Sequence, residues 1–169
     1  MSKKPNINTT VLIDKLKGRF GDLILETSIN NGEVTHVIDK DTLVDICRFV
    51  KNDSDMMMRF LADVIGIDNY PKTPRFEVVY ELLSIVTKQR LRLKVFINEN
   101  EPVPSVTCVW KGAGYPEREA YDMFGLIFEG NKDLRRIYLP DDWEGFPLRK
   151  DYPLKGYKDK YNPNGEEKK

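Results

Sequence analysis

The chain has 169 residues, 40% hydrophobic and 32% charged, a balance that fits one well-solvated domain with a real core and a tail. Its 27 basic and 27 acidic side chains cancel, which excludes a general nucleic-acid binder, because such a protein needs a basic surplus to displace counterions. The N-terminal run MSKKPNINTT has no apolar segment of the signal-peptide type, and no apolar run approaches the ~20 residues that span a bilayer.

In chain order, Thr9 or Thr10 is expected to cap a first helix with Leu12, Leu16 and Phe20 on one face, stopped by Gly21. Residues 23–29 read as a strand, Asn30-Asn31-Gly32 as a hairpin turn, and residues 33–38 as the returning strand. Asp41 is expected to cap a second helix whose apolar face is Leu43, Ile46, Cys47 and Val50. Residues 56–67 read as an extended segment ending in a strand, and residues 66–74 as a loop. Residues 75–86 give the richest β signal. After a turn near Lys88, Leu91, Leu93, Val95 and Ile97 alternate with Arg90, Arg92, Lys94 and Phe96. That period of two places one face in the core and one in water. Pro102 and Pro104 should bar regular structure, and residues 105–110 read as a short helix or a buried run. The predicted class is α+β: a mixed, mostly antiparallel sheet with helices packed on it, followed by an extended C-terminal arm.

Most chemistries fail on supply. His36 is the only histidine, so the paired E-x-x-H motifs of carboxylate di-iron sites are absent. Cys47 and Cys108 form no C-x-x-C pair, and two cysteines with one histidine provide neither the four thiolates of an iron–sulfur cluster nor a Cys/His zinc set. Gly112-Ala113-Gly114 opens like a dinucleotide fingerprint, but Glu117 stands where the third glycine belongs and Pro116 removes an amide donor. The exposed side of the Arg90–Arg92–Lys94 strand invites an RNA-binding reading, against which stands a plain solvated face.

Residues 114–153 break every period and mix rings, charges and turn formers. Pro116 suits the first position of a helix ending at Gly125. On that helix Arg118 and Asp122 stand four apart, and Glu117, Tyr121 and Phe124 share a face. Glu117, Glu119 and Asp122 are the candidate acid/base groups of a stand-alone enzyme, but no companion nucleophile is in view. The better use is a buried ion-pair network with Arg118, Arg135 or Arg136. Residues 134–139 read as a short strand or extended segment, followed by turns at residues 140–143 and 145–147. Residues 148–153 are too short and mixed for a core. Arg, Trp and Tyr are the types enriched at interface hot spots, so this stretch reads as a docking surface.

The run Glu117-Arg118-Glu119-Ala120-Tyr121-Asp122-Met123-Phe124-Gly125 closely resembles the signature of the C-type, thirty-kilodalton subunit of bacterial NADH–quinone oxidoreductase (respiratory complex I). The resemblance continues through Asp133-Leu134-Arg135-Arg136-Ile137, Leu139-Pro140-Asp141-Asp142-Trp143-Glu144-Gly145 and Pro147-Leu148-Arg149-Lys150-Asp151-Tyr152-Pro153. Two Gly-His-Pro sites common in the family read Gly130-Asn131-Lys132 and Gly145-Phe146-Pro147 here.

The resemblance implies a domain over residues 1–153; the tail over residues 154–169 is rich in lysine and has no apolar period, so it reads as extended or partly disordered, its first part along a partner and residues 165–169 free. It implies a non-catalytic, cofactor-free subunit, with iron–sulfur clusters, flavin and quinone held by partner subunits. The forty-nine-kilodalton (D-type) subunit would be the chief neighbour, with the B-type and I-type subunits of complex I. The location implied is the cytoplasmic face of the bacterial inner membrane, with the membrane reached only through the complex. The implied interface residues are Glu117, Arg118, Glu119, Tyr121, Asp122, Phe124, Gly125, Arg135, Arg136, Trp143, Arg149, Lys150, Asp151 and Tyr152. Relatives in energy-converting hydrogenases and in ferredoxin- or deazaflavin-fed dehydrogenases remain alternatives.

Overall fold

The structure is a computed structural model that describes residues 7–167. Helix α1 spans Ile7–Phe20. Thr9 and Thr10 therefore lie inside it and do not cap it; the Thr9 hydroxyl donates to the Gly32 carbonyl at 3.4 Å. Leu12 and Leu16 are buried as their spacing predicts. Phe20 meets Phe49 edge to face, ring centroids 5.6 Å apart. Strands β1, Ile24–Asn30, and β2, Glu33–Ile38, form the expected hairpin. Asn31 and Gly32 take positive φ at its tip, which is why those two residue types stand there.

Helix α2 spans Leu43–Asn52 and buries Leu43, Ile46, Cys47 and Val50 against the sheet. The capping carboxylate is Asp39, not Asp41. Asp39 accepts the Asp41 amide at 2.8 Å and opens a short 3-10 turn, Lys40–Thr42, ahead of the helix. Strand β3 spans Phe60–Asp68, so the loop expected from residue 66 begins after Asp68. Gly66 is a strand residue that lets helix and sheet approach: a Cβ there would lie 2.8 Å from the Phe124 ring and 2.9 Å from Leu126.

Strand β4, Phe76–Leu83, pairs antiparallel with both β3 and β5, Arg90–Ile97. The short strand β6, Val103–Pro104, corrects the expectation that the prolines bar regular structure. It pairs parallel with β7, Phe128–Glu129, and its bonds come from the amides of Val103 and Ser105 on either side of the Pro104 nitrogen. Between them runs helix α3, Gly114–Phe124.

The main sheet has the order β1-β2-β5-β4-β3, antiparallel except for β2 against β5. This is the mixed, mostly antiparallel α+β fold the sequence predicts. One continuous core fills the space between its inner face and the three helices. On the outer face the basic strand is neutralised by its neighbours. Arg90 and Arg92 face Glu33 at 3.7 and 3.6 Å, Arg92 also pairs with Glu81, and Lys94 meets Glu77 at 2.6 Å. A paired ladder offers few free cations to a phosphate backbone, so the solvated-face reading stands and the RNA reading loses its support.

Beyond β7 the described residues contain no helix and one isolated bridge, Tyr157 to Glu166. In the chain alone, residues 157–161 lie back against residues 142–152. Tyr161 stacks on Trp143 with centroids 6.2 Å apart and donates its hydroxyl to Asp142 at 2.7 Å. Lys160 pairs with the same carboxylate, and Tyr157 packs edge-on against Tyr152 at 5.1 Å. Gly165 lies flush against the Tyr157 backbone. Of the five residues expected free, Lys168 and Lys169 lie outside the described ones.

Candidate functional site

Helix α3 begins at Gly114, so Pro116 occupies its third position rather than its first. It still sits in the first turn, where amides have no partner within the helix. Gly125 ends the helix at φ 74°, its amide donating to the Tyr121 carbonyl at 2.8 Å. The three candidate carboxylates on the helix have three different fates.

Asp122 is fully buried. One oxygen lies 2.7 Å from Arg136 Nη1; the other accepts the amides of Ile137, Tyr138 and Leu139 at 3.0, 2.8 and 3.0 Å. Burial opposes its charge, but Arg136 and the three amides outweigh burial and hold the carboxyl below its ordinary range. Those amides explain why residues 134–139 form no strand: their donors point at a side chain, not at a neighbouring strand. The pairing of Arg118 with Asp122 read from the helix spacing does not form. Arg118 reaches outward to the carbonyls of Arg135 and Arg136 at 3.1 and 2.9 Å. Arg136 also donates to the carbonyls of Trp143 and Gly145 at 2.9 and 3.1 Å. Two guanidiniums and one carboxylate thus brace the whole loop across residues 133–145.

Glu117 is also fully buried but meets no cation. It accepts the Ser105 hydroxyl at 2.8 Å, the Val106 amide at 2.9 Å and the Asn131 side-chain amide at 2.8 Å. Burial dominates and pushes its carboxyl upward against those three donors. Asn131, one of the two positions at which the resemblance would set a histidine, supplies a neutral donor to a buried acid. Phe146 stands at the other. Its ring lies 4.6 Å from the Arg149 guanidinium and 5.4 Å from that of Arg136, and meets Tyr121 edge-on. Glu119 stays exposed and accepts the Tyr138 hydroxyl at 3.1 Å.

The arm that follows is tied to the sheet by a charged hub that no sequence period announces. Arg75, at the foot of β4, grips Asp68 through two bonds of 3.0 and 2.9 Å, Glu99 at 3.1 Å and Asp151 at 2.7 Å. Asp68 also accepts the Lys150 amide at 2.9 Å. Burial disfavours its charge, but Arg75 and the amides of Lys150 and Tyr70 prevail and hold its pKa at about 2. Arg149 donates to the Phe124 carbonyl and to Glu99, both at 2.6 Å. Asp68, Arg75 and Glu99 each interrupt or flank an apolar strand, the one sequence signal that could have singled them out.

Arg136, Asp122, Arg149 and Asp151 are thus committed within the chain. Arg135 is exposed and, among the described residues, pairs only with Asp133, itself exposed; the Lys150 and Glu119 side chains are exposed as well. Tyr121, Phe124, Trp143 and Tyr152 are half-buried. Among the described residues no group of three His, Cys, Asp or Glu converges as metal ligands, and no helix is long and apolar enough to cross a membrane.

The architecture defines a class: a helix-backed α+β sheet carrying a long irregular arm, cross-braced by buried charge into one fixed shape. The family described as respiratory-chain NADH dehydrogenase, 30 Kd subunit, matches residues 36–158. The second C-type subunit of NADH-quinone oxidoreductase from Rhizobium etli (strain CIAT 652) is 46% identical over 167 residues, 99% of this chain and 87% of that protein. The C-type subunit of the same enzyme from Roseiflexus sp. (strain RS-1) is 45% identical over 148 residues, 87% and 84% of the two. The chain belongs to the 30 Kd subunit family of respiratory-chain NADH dehydrogenase.

Proposed function

We propose that the chain is a structural component of the peripheral arm of an NADH–quinone oxidoreductase, holding the quinone-reducing module together while other subunits carry the flavin, the iron–sulfur clusters and the quinone. The forty-nine-kilodalton (D-type) subunit is its chief neighbour, with the B-type and I-type subunits, and the assembly sits on the cytoplasmic face of the inner membrane. The observation that carries a structural role is the saturation of Asp122 by Arg136 and three amides. A carboxylate so engaged has no free lone pair facing solvent; it fixes the shape of residues 133–145 and leaves Arg135, Glu119 and Lys150 to face outward.

The test is isolation from the native host in mild detergent. The chain is expected to co-migrate with a large iron–sulfur assembly that oxidises NADH with quinone. Arg135→Glu is expected to lower the amount of that assembly several-fold while leaving the melting temperature of the purified chain unchanged. A chain that migrates alone, in cells whose NADH–quinone activity survives its deletion, overturns the reading.

A further inference from the structure

A groove of about 680 Å³ opens between the end of α2, the start of β3 and the turn at residues 107–112. Its walls combine Phe60, Leu61 and Trp110 with the cations Lys51, Arg59 and Lys111, and no carboxylate lines it among the described residues. That composition departs from the rest of the chain, where acids and bases balance and the cations of β5 each meet a glutamate. Lys51 turns inward, donating to the Val109 carbonyl at 2.5 Å and lying 6.0 Å from the Trp110 ring centre. Arg59 and Lys111 are exposed, and among the described residues neither has an ion-pair partner.

The same end of the sheet carries bare apolar surface. Phe60 is 49% exposed and is the register partner of Leu83. The β4–β5 turn therefore lies beside it, with Ile85 72% and Val86 64% exposed. Exposed apolar area close to uncompensated cations is costly to leave in water and is the composition of a binding surface. The surface is concave, which fits an inserted peptide segment better than a flat bilayer.

We propose that this groove receives an acidic segment of a neighbouring protein subunit, its carboxylates on Arg59 and Lys111 and an apolar side chain against Phe60 and Trp110. The match is one of charge: a wall with cations and no acid selects carboxylates and rejects basic segments. The proposal rests on the reading that the chain works inside an assembly. It places a contact on the face formed by α2 and β3, through residues outside the 114–153 stretch.

Cys108 lines the groove and is exposed, whereas Cys47 is fully buried, so one thiol reports on occupancy. N-ethylmaleimide is expected to alkylate Cys108 at least tenfold more slowly in the intact detergent-solubilised complex than in the purified full-length chain. A carbodiimide is expected to couple Lys111 in the complex to an Asp or Glu of another subunit. The Arg59→Glu, Lys111→Glu double variant is expected to restore fast alkylation in whatever complex still forms, with the melting temperature of the isolated chain unchanged. Equal alkylation rates in a chain that still co-migrates with the complex overturn the groove proposal alone; a chain that fails to co-migrate overturns the reading that it works inside an assembly. Protection of Cys108 in the isolated chain by vesicles of anionic phospholipid would assign the groove to a membrane surface and also overturn the proposal.

Discussion

Asp122 and Arg136 hold each other at 2.7 Å, the carboxylate fully buried and the guanidinium 13% exposed, from opposite ends of a 14-residue span. Removing one member of such a pair strands the other charge, which typically costs ~3–5 kcal/mol. Asp122→Asn keeps the shape but loses the charge and presents an N–H₂ toward donors. It is expected to destabilise the purified chain by about 3 kcal/mol in urea titration.

Acid should destabilise the chain over two successive pH windows. His36 is fully buried on β2; burial, with a smaller push from Lys17, lowers its pKa to about 4. Its folded pKa lies below the ordinary 6.5, so the stability it contributes is present above pH 6.5 and lost as the pH falls toward 4. That loss amounts to roughly 3 kcal/mol. Asp68 follows, losing its contribution between its ordinary value of 3.8 and about 2. Stability measured by urea from pH 7.5 to 4 should fall more steeply in the native chain than in His36→Leu.

Glu117 carries the opposite sign. Its folded pKa is raised, so its burial is best tolerated when it is protonated and becomes more costly as the pH rises through that value. Asn131→Leu removes one of the three donors that offset this cost. The variant should lose about 2 kcal/mol at neutral pH and less near pH 4, a difference visible in paired melting curves.

Gly125 is held at φ 74°, and a Cβ there would lie 2.6 Å from the Phe146 ring and 2.7 Å from Arg149. A left-handed conformation alone costs a non-glycine residue ~1–2 kcal/mol. Gly125→Ala must also displace the ring and the guanidinium. We expect a loss of at least about 2 kcal/mol and, by limited proteolysis, faster cleavage after Arg149 and Lys150.

Where a feature depended on residues close in sequence, it was legible. The Leu43–Ile46–Cys47–Val50 face, the alternation along β5, the Asn31–Gly32 turn and the stop at Gly125 all follow from local period or backbone freedom. The cap ahead of α2 lay two residues from the expected one because several polar side chains stand there, and only geometry chose Asp39 over Asp41. The candidate site was legible in its composition but not in its pairing. Spacing on α3 set Arg118 four residues from Asp122; of the three arginines expected to pair a buried carboxylate, the tertiary path of residues 133–145 delivered Arg136. Glu117 could not be told from Asp122 in sequence, since what separates them is a cation in one pocket and three neutral or backbone donors in the other. The tail has no apolar period, yet ring pairs and Asp142 fold it back, a form of order that periodicity does not register.

Arg75 joins partners that leave the ribosome at widely separated times. Asp68 precedes it, Glu99 follows shortly, and Asp151 emerges only after the whole sheet has been made. The clamp thus closes last, on a finished scaffold. A nascent chain halted before Asp151 would carry a complete sheet with Arg75 held by Asp68 and Glu99 alone, so its C-terminal arm would lack the Arg75 anchor that full-length molecules have before either meets a partner.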